Sequence, residues 1–327
     1  MEHLIINNTN IEVSQFCLGT AYFGTKINKK DSFRMLDSFI DQNGNFIDTA
    51  LIYAYWIKGS SLSEKLIGEY ISINNIRETI VICTKGFIKK NPEEKIKTGQ
   101  IKNDLENSLI NLKTNYIDLY LLHKDYIEIP VKEIIDILYS LKSMGKIRHY
   151  GLSNWNINRF KQAYEYSLQN YNYRIPVNQL HWNIAKVNIN YLNPHENIIM
   201  DDEFYNFQLS NKITTMAYTP SAGGVFQKMN TNNLNPDDIL YKTYYNKNTQ
   251  KIFSLIKQLT LKYNTNISSI ILNYLLNHDF QTIPIIGCST IEQLNENINI
   301  ERINFSKKEI EKTHNLKTKK IFFNFIV

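Results

Sequence analysis

Proton-handling side chains fall at or just beyond the ends of apolar runs in this 327-residue chain: Asp48 in NFIDTA, Tyr53 shortly after it, Lys85 closing TIVICTK and His123 closing IDLYLLH. Uncharged hydrogen-bonding groups end later runs of the same kind: Ser153 with Asn154, then Gln179, then Tyr218. A charge buried in an apolar strand is costly unless it is paired. Asp48 and Lys85 end neighbouring runs, so a buried ion pair is the most favourable arrangement for them. A neutral Lys85 could instead act as a Schiff-base nucleophile, as in class I aldolases, but a paired Asp48 pushes against that. Singly, each residue has a plainer reading: Asp48 as a loop cap, Lys85 as surface, His123 as core, Tyr53 as one of 21 tyrosines. Their recurrence at successive run ends is what points to a site. No His-x-His ends the first strand and no ligand cluster appears, so no metal is expected.

The runs themselves give the frame. SQFCLGT near residue 17, NFIDTA (45–50), TIVICTK (79–85), IDLYLLH (117–123), HYGLSN (149–154), VNQLHW (177–182), ITTMAYT (213–219) and TIPIIGC (282–288) read as strands buried on both faces. Amphipathic stretches alternate with them. LSEKLIGEYI (62–71) opens with Ser63 as its expected N-cap, and KNDLENSLINL puts Leu105, Leu109 and Leu112 on one face. VKEIIDILYSLKSMGK (131–146) is apolar at Ile134, Ile135, Leu138 and Leu141, with Gly145 fitting a C-cap. The gap over about residues 220–280 leaves room for a loop and two helices. Eight strand–helix units predict an α/β fold, a (β/α)8 TIM barrel, as a single domain over 1–327. An open doubly wound sheet competes, but no G-x-G-x-x-G follows any strand. In a parallel barrel, chemistry gathers at the carboxyl ends of the strands, where the polar residues above lie.

With 43% apolar and 21% charged residues the composition is ordinary for a globular chain. The +6 charge, 37 basic against 31 acidic side chains, is scattered and forms no stripe of the kind nucleic acid requires. Cys17, Cys83 and Cys288 are too few and too dispersed for a disulfide framework. No signal pattern and no run of 18 apolar residues is present, so a cytoplasmic protein without membrane contact is expected.

The segments NFIDTALIY, ICTKG, YLLHKD, GKIRHYGLSNW, NQLHWN, MAYTPSAGG and IPIIGCSTIEQLNEN, in that order and spacing, resemble those of the aldo-keto reductases. The likeness runs from LGT at 18–20 to Asn297. It implies a nicotinamide-dependent reduction of a small-molecule carbonyl, with a catalytic tetrad on Asp48, Tyr53, Lys85 and His123. In that role Tyr53 gives the proton, and Lys85 beside it is expected to lower its pKa from about 10. Asp48 holds Lys85, and His123 directs the substrate oxygen. The resemblance further implies that Ser153, Asn154 and Gln179 bind the nicotinamide carboxamide and that Tyr218 stacks on the ring. Thr20, Ser221 and Gly223 join the cofactor positions, Ser221 and Gly223 along the pyrophosphate. Ser289, Gln293, Glu296 and Asn297 fall at the adenosine end.

Two departures from the family pattern stand out. Family habit favours NADP(H), yet GCSTIEQLNEN offers no basic side chain for a 2′-phosphate, which points toward NAD(H). The balance is set slightly to NADP(H). Ala54 stands where glycine is frequent, and the loop YWIKGSSLSE after it is long. Trp56 there, with Tyr22 and Trp182, is expected to line an aromatic substrate pocket. A cofactor-binding regulatory subunit with the same fold is an alternative function. Substrate identity, reaction direction and oligomeric state are not legible from the sequence.

Overall fold

The computed structural model describes residues 1–91, 93–193 and 197–317, except for the side chains of Trp56 and Lys58. The Trp56 ring expected at the substrate pocket therefore lies outside the described groups.

Two short strands, β1 (His3–Ile5) and β2 (Glu12–Ser14), pair antiparallel as a hairpin. Eight more follow: β3 (Cys17–Gly19), β4 (Phe46–Asp48), β5 (Val81–Gly86), β6 (Ile117–Leu122), β7 (Ile147–Ser153), β8 (Val177–His181), β9 (Thr214–Tyr218) and β10 (Thr282–Ile286). These eight lie in sequence order and all pair parallel; β10 meets β3 through Ile285↔Cys17 to close a barrel. Every residue of β5 and β6 is buried, because a barrel strand faces side chains inside and helices outside.

Alternation along each strand sorts the residues between these two environments. Cys17, Phe46, Val81, Cys83, Leu119, Leu121, Val177, Met216, Ile283 and Ile285 form the inner cluster. Ile6, Ile11 and Val13 from the hairpin join it, flooring the end from which the strands start. The alternate residues, such as Ile47, Ile82, Tyr120, Leu152 and Leu180, pack in the outer core with the helices. Counting on by twos from the inner set reaches Asp48, Lys85, His123, Gln179 and Tyr218, and the Ser153↔Gln179 register adds Ser153. These six of the polar residues at run ends are thus the uppermost inward layer.

The helices surround this frame. Leu105, Leu109 and Leu112 of helix Gly99–Leu112 are buried, as their spacing predicts. Helix Val131–Ser143 ends before Gly145, whose φ of 73° suits glycine just past the C-cap. One N-terminus differs from expectation. Helix Leu62–Asn74 has Ser61 in the cap position, and Ser63 lies inside the first turn. Ser63 is fully buried and its hydroxyl donates to Thr20 O at 2.9 Å, so tertiary contact claims the group that local pattern assigned to capping. Between β9 and β10 run the two expected helices, Lys247–Tyr263 and Ile267–Leu276, with the shorter Val225–Asn230 and Ile239–Tyr244 before them. Among the described residues no helix is long and apolar enough to cross a membrane.

Candidate active site

Lys85 organises the barrel mouth. Its Nζ donates to Asp48 Oδ2 at 2.8 Å, to the Thr49 carbonyl at 2.7 Å and to Tyr53 Oη at 3.1 Å, using all three ammonium protons. The side chain is 0% exposed and that of Asp48 2%, so the pair is the buried salt bridge that strand ends made favourable. Burial by itself would pull the Lys85 pKa down. Asp48, with Tyr53 and Cys83, outweighs it and holds Lys85 above the ordinary lysine value, hence charged. Asp48 is fixed on its other side as well: Oδ1 accepts from Gln179 Nε2 at 2.8 Å. Its backbone carbonyl takes the Thr20 N–H at 3.1 Å and the Thr20 hydroxyl at 2.9 Å.

Tyr53 follows β4 on the turn 51–54. Ala54 adopts φ 65°, the left-handed region in which an alanine pays a steric cost and glycine does not. Burial pushes the Tyr53 phenol up to about 12, against the downward pull of Lys85. Lys85 acts downward as expected, but burial outweighs it, because removing phenolate from water costs more than one cation returns. His123 stands edge-on to Tyr53, ring centroids 6.0 Å apart. Burial first, then Lys85 and Lys124, hold its pKa well below 6.5, so the imidazole is neutral. Its Nδ1 is buried with no hydrogen-bond partner among the described residues.

Ser153, Asn154, Gln179 and Tyr218 form the opposite wall. Asn154, at φ 56°, accepts at Oδ1 from Tyr218 Oη at 2.7 Å and from Ile198 N at 3.1 Å, while its Nδ2 donates to Ser153 Oγ at 3.0 Å. Tyr218 Oη also reaches Asn197 Oδ1 at 3.3 Å. After β9, Thr219, Ala222, Gly223 and Gly224 are all left-handed. At Gly223 (φ 64°) a Cβ would lie 2.6 Å from Leu240 Cδ1, so a larger residue there would meet backbone strain and would have to displace the end of that leucine side chain. In the segment 289–297, Ser289 N–H donates to Gln293 Oε1 at 2.8 Å and Gln293 N–H to Thr290 Oγ1 at 3.3 Å. Together these bonds cap helix Ile291–Ile298. Glu296 accepts from Ser268 Oγ at 2.9 Å, and Asn297 Nδ2 donates to Cys288 Sγ at 3.4 Å.

Three groups join the site that sequence reading did not select. The Thr49 carbonyl holds Lys85, Ser63 ties Thr20 to Thr49 through its hydroxyl, and Asn197 offers Tyr218 a second, longer acceptor. Only Thr49, beside Asp48, carried any positional signal. Packing also supplies a basic residue absent from GCSTIEQLNEN. The Glu292 carboxylate is held low by a backbone N–H, by Thr290 and by Arg34 of helix Lys29–Asp41, placing Arg34 within electrostatic reach of that segment.

Of the expected pocket aromatics, Tyr22 is 46% exposed, with Lys26 Nζ 4.4 Å over its ring. Trp182 is only 2% exposed and stacks on Phe280 at 5.6 Å. It lines a cavity of about 450 Å³ with His181, Met200, Tyr205, His314 and Lys317, none of them a tetrad residue.

A parallel barrel whose strand ends converge on a charged lysine, a carboxylate and a phenol is an enzyme-type site. The chain belongs to the Aldo/keto reductase family, whose model matches residues 15–317, and is an oxidoreductase of that family. It is 28% identical to norsolorinic acid reductase stcV of Emericella nidulans over 316 residues, 92% of this chain and 77% of that protein. It is 33% identical to the aldo-keto reductase YhdN of Bacillus subtilis over 164 residues, 48% of each chain. The aryl-alcohol dehydrogenase [NADP(+)] of Phanerodontia chrysosporium is 30% identical over 164 residues, 44% of this chain and 41% of its own length. These last two matches span about half or less of the relatives' length. The fold is similar to that of the thermostable aldo-keto reductase Tm1743, solved with the inhibitor epalrestat, at TM-score 0.71 and 22% identity over 97% of this chain and 100% of that one.

Proposed function

We propose that this chain, as one barrel domain, reduces an aldehyde or ketone to the alcohol with a nicotinamide cofactor, Tyr53 giving the proton. The observation that carries the reading is the triple bonding of Lys85 Nζ to Asp48, Thr49 and Tyr53. A lysine so bound and held charged is no Schiff-base nucleophile, but it is well placed to stabilise a tyrosinate as it forms.

The residues present fit a nicotinamide. Gln179 Oε1 accepts no hydrogen bond among the described residues, and the left-handed stretch 222–224 gives a close backbone approach. When bound, the reduced cofactor supplies hydride to the carbonyl carbon. Tyr53 Oη then protonates the oxygen, Lys85 compensates the charge left on Tyr53, and Asp48 keeps Lys85 in place. Neutral His123 donates a hydrogen bond that orients the oxygen. Ser153, Asn154 and Gln179 hold the carboxamide, and Tyr218 supports the ring.

For cofactor preference we favour NADP(H), with Arg34 as the basic group toward a 2′-phosphate; the printed name of the aryl-alcohol dehydrogenase relative supports the same choice. Exposed Tyr22, Ile57, Ile127, Ile189 and Tyr191, each in a connection that follows a barrel strand, support an apolar carbonyl substrate.

The test is a fluorescence titration with NADPH and NADH, followed by turnover of 4-nitrobenzaldehyde. Tyr53→Phe is expected to bind cofactor as the parent does and to lose about 10²- to 10⁴-fold in kcat. Full activity in that variant, or no binding of either cofactor at submillimolar concentration, would overturn the reading.

A further inference from the structure

In a closed ring of eight strands, β4 and β8 are four places apart and face each other across the barrel. Asp48 ends β4 and Gln179 lies in β8, yet Gln179 Nε2 donates to Asp48 Oδ1 at 2.8 Å, so this bond crosses the mouth. Both residues are 2% exposed. The direction of the bond is chemically forced. Asp48 Oδ2 is held by the Lys85 ammonium, which makes the group a carboxylate, able only to accept. The amide must turn its NH2 toward Asp48, and its Oε1 is then left for another donor. Oε1 accepts no hydrogen bond among the described residues. A primary amide N–H, such as a carboxamide offers, matches this open acceptor.

We propose that Gln179 is a positioning residue that couples the two halves of the site: a carboxamide docked at its Oε1 sets the Asp48–Lys85 pair through its Nε2, and so readies Tyr53 to give its proton. This rests on the reading of the site as a nicotinamide-dependent reductase. The physical link is polarisation of the amide. Accepting a hydrogen bond at oxygen strengthens donation at nitrogen. Asp48 Oδ1 is then held more firmly toward β8, the carboxylate draws less on Lys85, and more of the lysine's positive charge is available to the oxygen of Tyr53. A ligand that only filled space beside Gln179 would not have this effect.

The experiment uses the full chain with NADPH and 4-nitrobenzaldehyde, reading cofactor Kd by fluorescence and the single-turnover hydride-transfer rate at saturating NADPH by stopped flow. Gln179→Leu removes the donor and is expected to slow hydride transfer at saturation by about tenfold or more, beyond any loss of affinity. Gln179→Glu gives the sharper signature. While the introduced carboxyl is protonated it can donate to Asp48, and once ionised it repels Asp48. Its rate should approach the parent's at about pH 5 and fall away by about pH 8, while the parent stays flat. Should Gln179→Leu not fold, the pH profile of Gln179→Glu decides alone. Weakened Kd in both variants, with the rate at saturation unchanged and independent of pH, would overturn the coupling and leave Gln179 a cofactor ligand only. Absence of NADPH and NADH binding in the parent chain would instead sink the reductase reading, and the coupling with it.

Discussion

Lys85 has three protons to donate and places each on a different oxygen: a carboxylate, a main-chain carbonyl and a phenol. Only the last is a reacting group in the proposed chemistry; the other two fix where the charge sits. Tyr53, pushed up to about 12 by burial, keeps its proton until a stronger base forms on the substrate. A general acid is active while protonated, so its contribution is lost only as pH rises through that value. His123, held well below 6.5, stays neutral through the same range and adds no acidic limb near its ordinary pKa. The expected profile of kcat for aldehyde reduction at saturating NADPH is therefore flat from about pH 6 to about pH 9. A limb near pH 6.5 would show His123 ionising in the ordinary range. One near pH 9 would show Lys85 winning over burial at Tyr53. The residue types of this cluster were legible in the sequence, as was the Asp48–Lys85 pairing. The net direction of the Tyr53 shift was not, because it depends on how completely the folded chain removes water, which no spacing of residues records.

At the scale of elements, the strands were readable because barrel strands are apolar on both faces, and their ends were readable because polar groups interrupt them there. The hairpin was not: each of its strands has three residues, too few to show a period. Nor was the role of Ser63, whose partners Thr20 and Thr49 are brought near only by barrel closure. That hydroxyl reaches the site because helix Leu62–Asn74 sits close against helix Gly99–Leu112, and Gly68 permits the approach. A Cβ at Gly68 would lie 2.2 Å from Asn111 O and 2.7 Å from Leu112 C, both main-chain atoms with little freedom to move. Gly68→Ala must drive the helices apart, at a cost of about 1–3 kcal/mol typical of overpacking. Urea unfolding should show this as a lower midpoint with unchanged slope. An unaltered midpoint would mean the helix pair slides freely, and that the support of Ser63 for the Tyr53 turn is loose.

The stability of the whole molecule carries a dependence on acid that is independent of the Asp48–Lys85 pair. His278 sits among aromatic rings, 4.6 Å from Trp182, 4.8 Å from Tyr274 and 5.6 Å from Tyr205. Both its ring nitrogens are buried without a partner among the described residues. Burial first, then Lys317 and His314, pull its pKa down to about 3, and His181 nearby is pulled to about 4 by burial and Lys317. An unfolded histidine titrates near 6.5, so between that pH and the folded value the unfolded chain binds protons that the folded chain refuses. The contribution of these two rings to stability should thus be constant above about pH 6.5 and fall below it, by up to about 1.4 kcal/mol per pH unit for each ring. His278→Phe keeps an aromatic ring of similar shape in the same cage and removes the titrating group. The difference in Tm, variant minus parent, is expected to grow as pH drops from about 7 to about 5, since only the parent's unfolded state gains that proton. A constant difference across this range would mean that the ring is protonated in the folded molecule as readily as outside it. The aromatic cluster joining the end of β8 to the C-terminal helix Lys307–Lys317 would then be wetter than its packing implies.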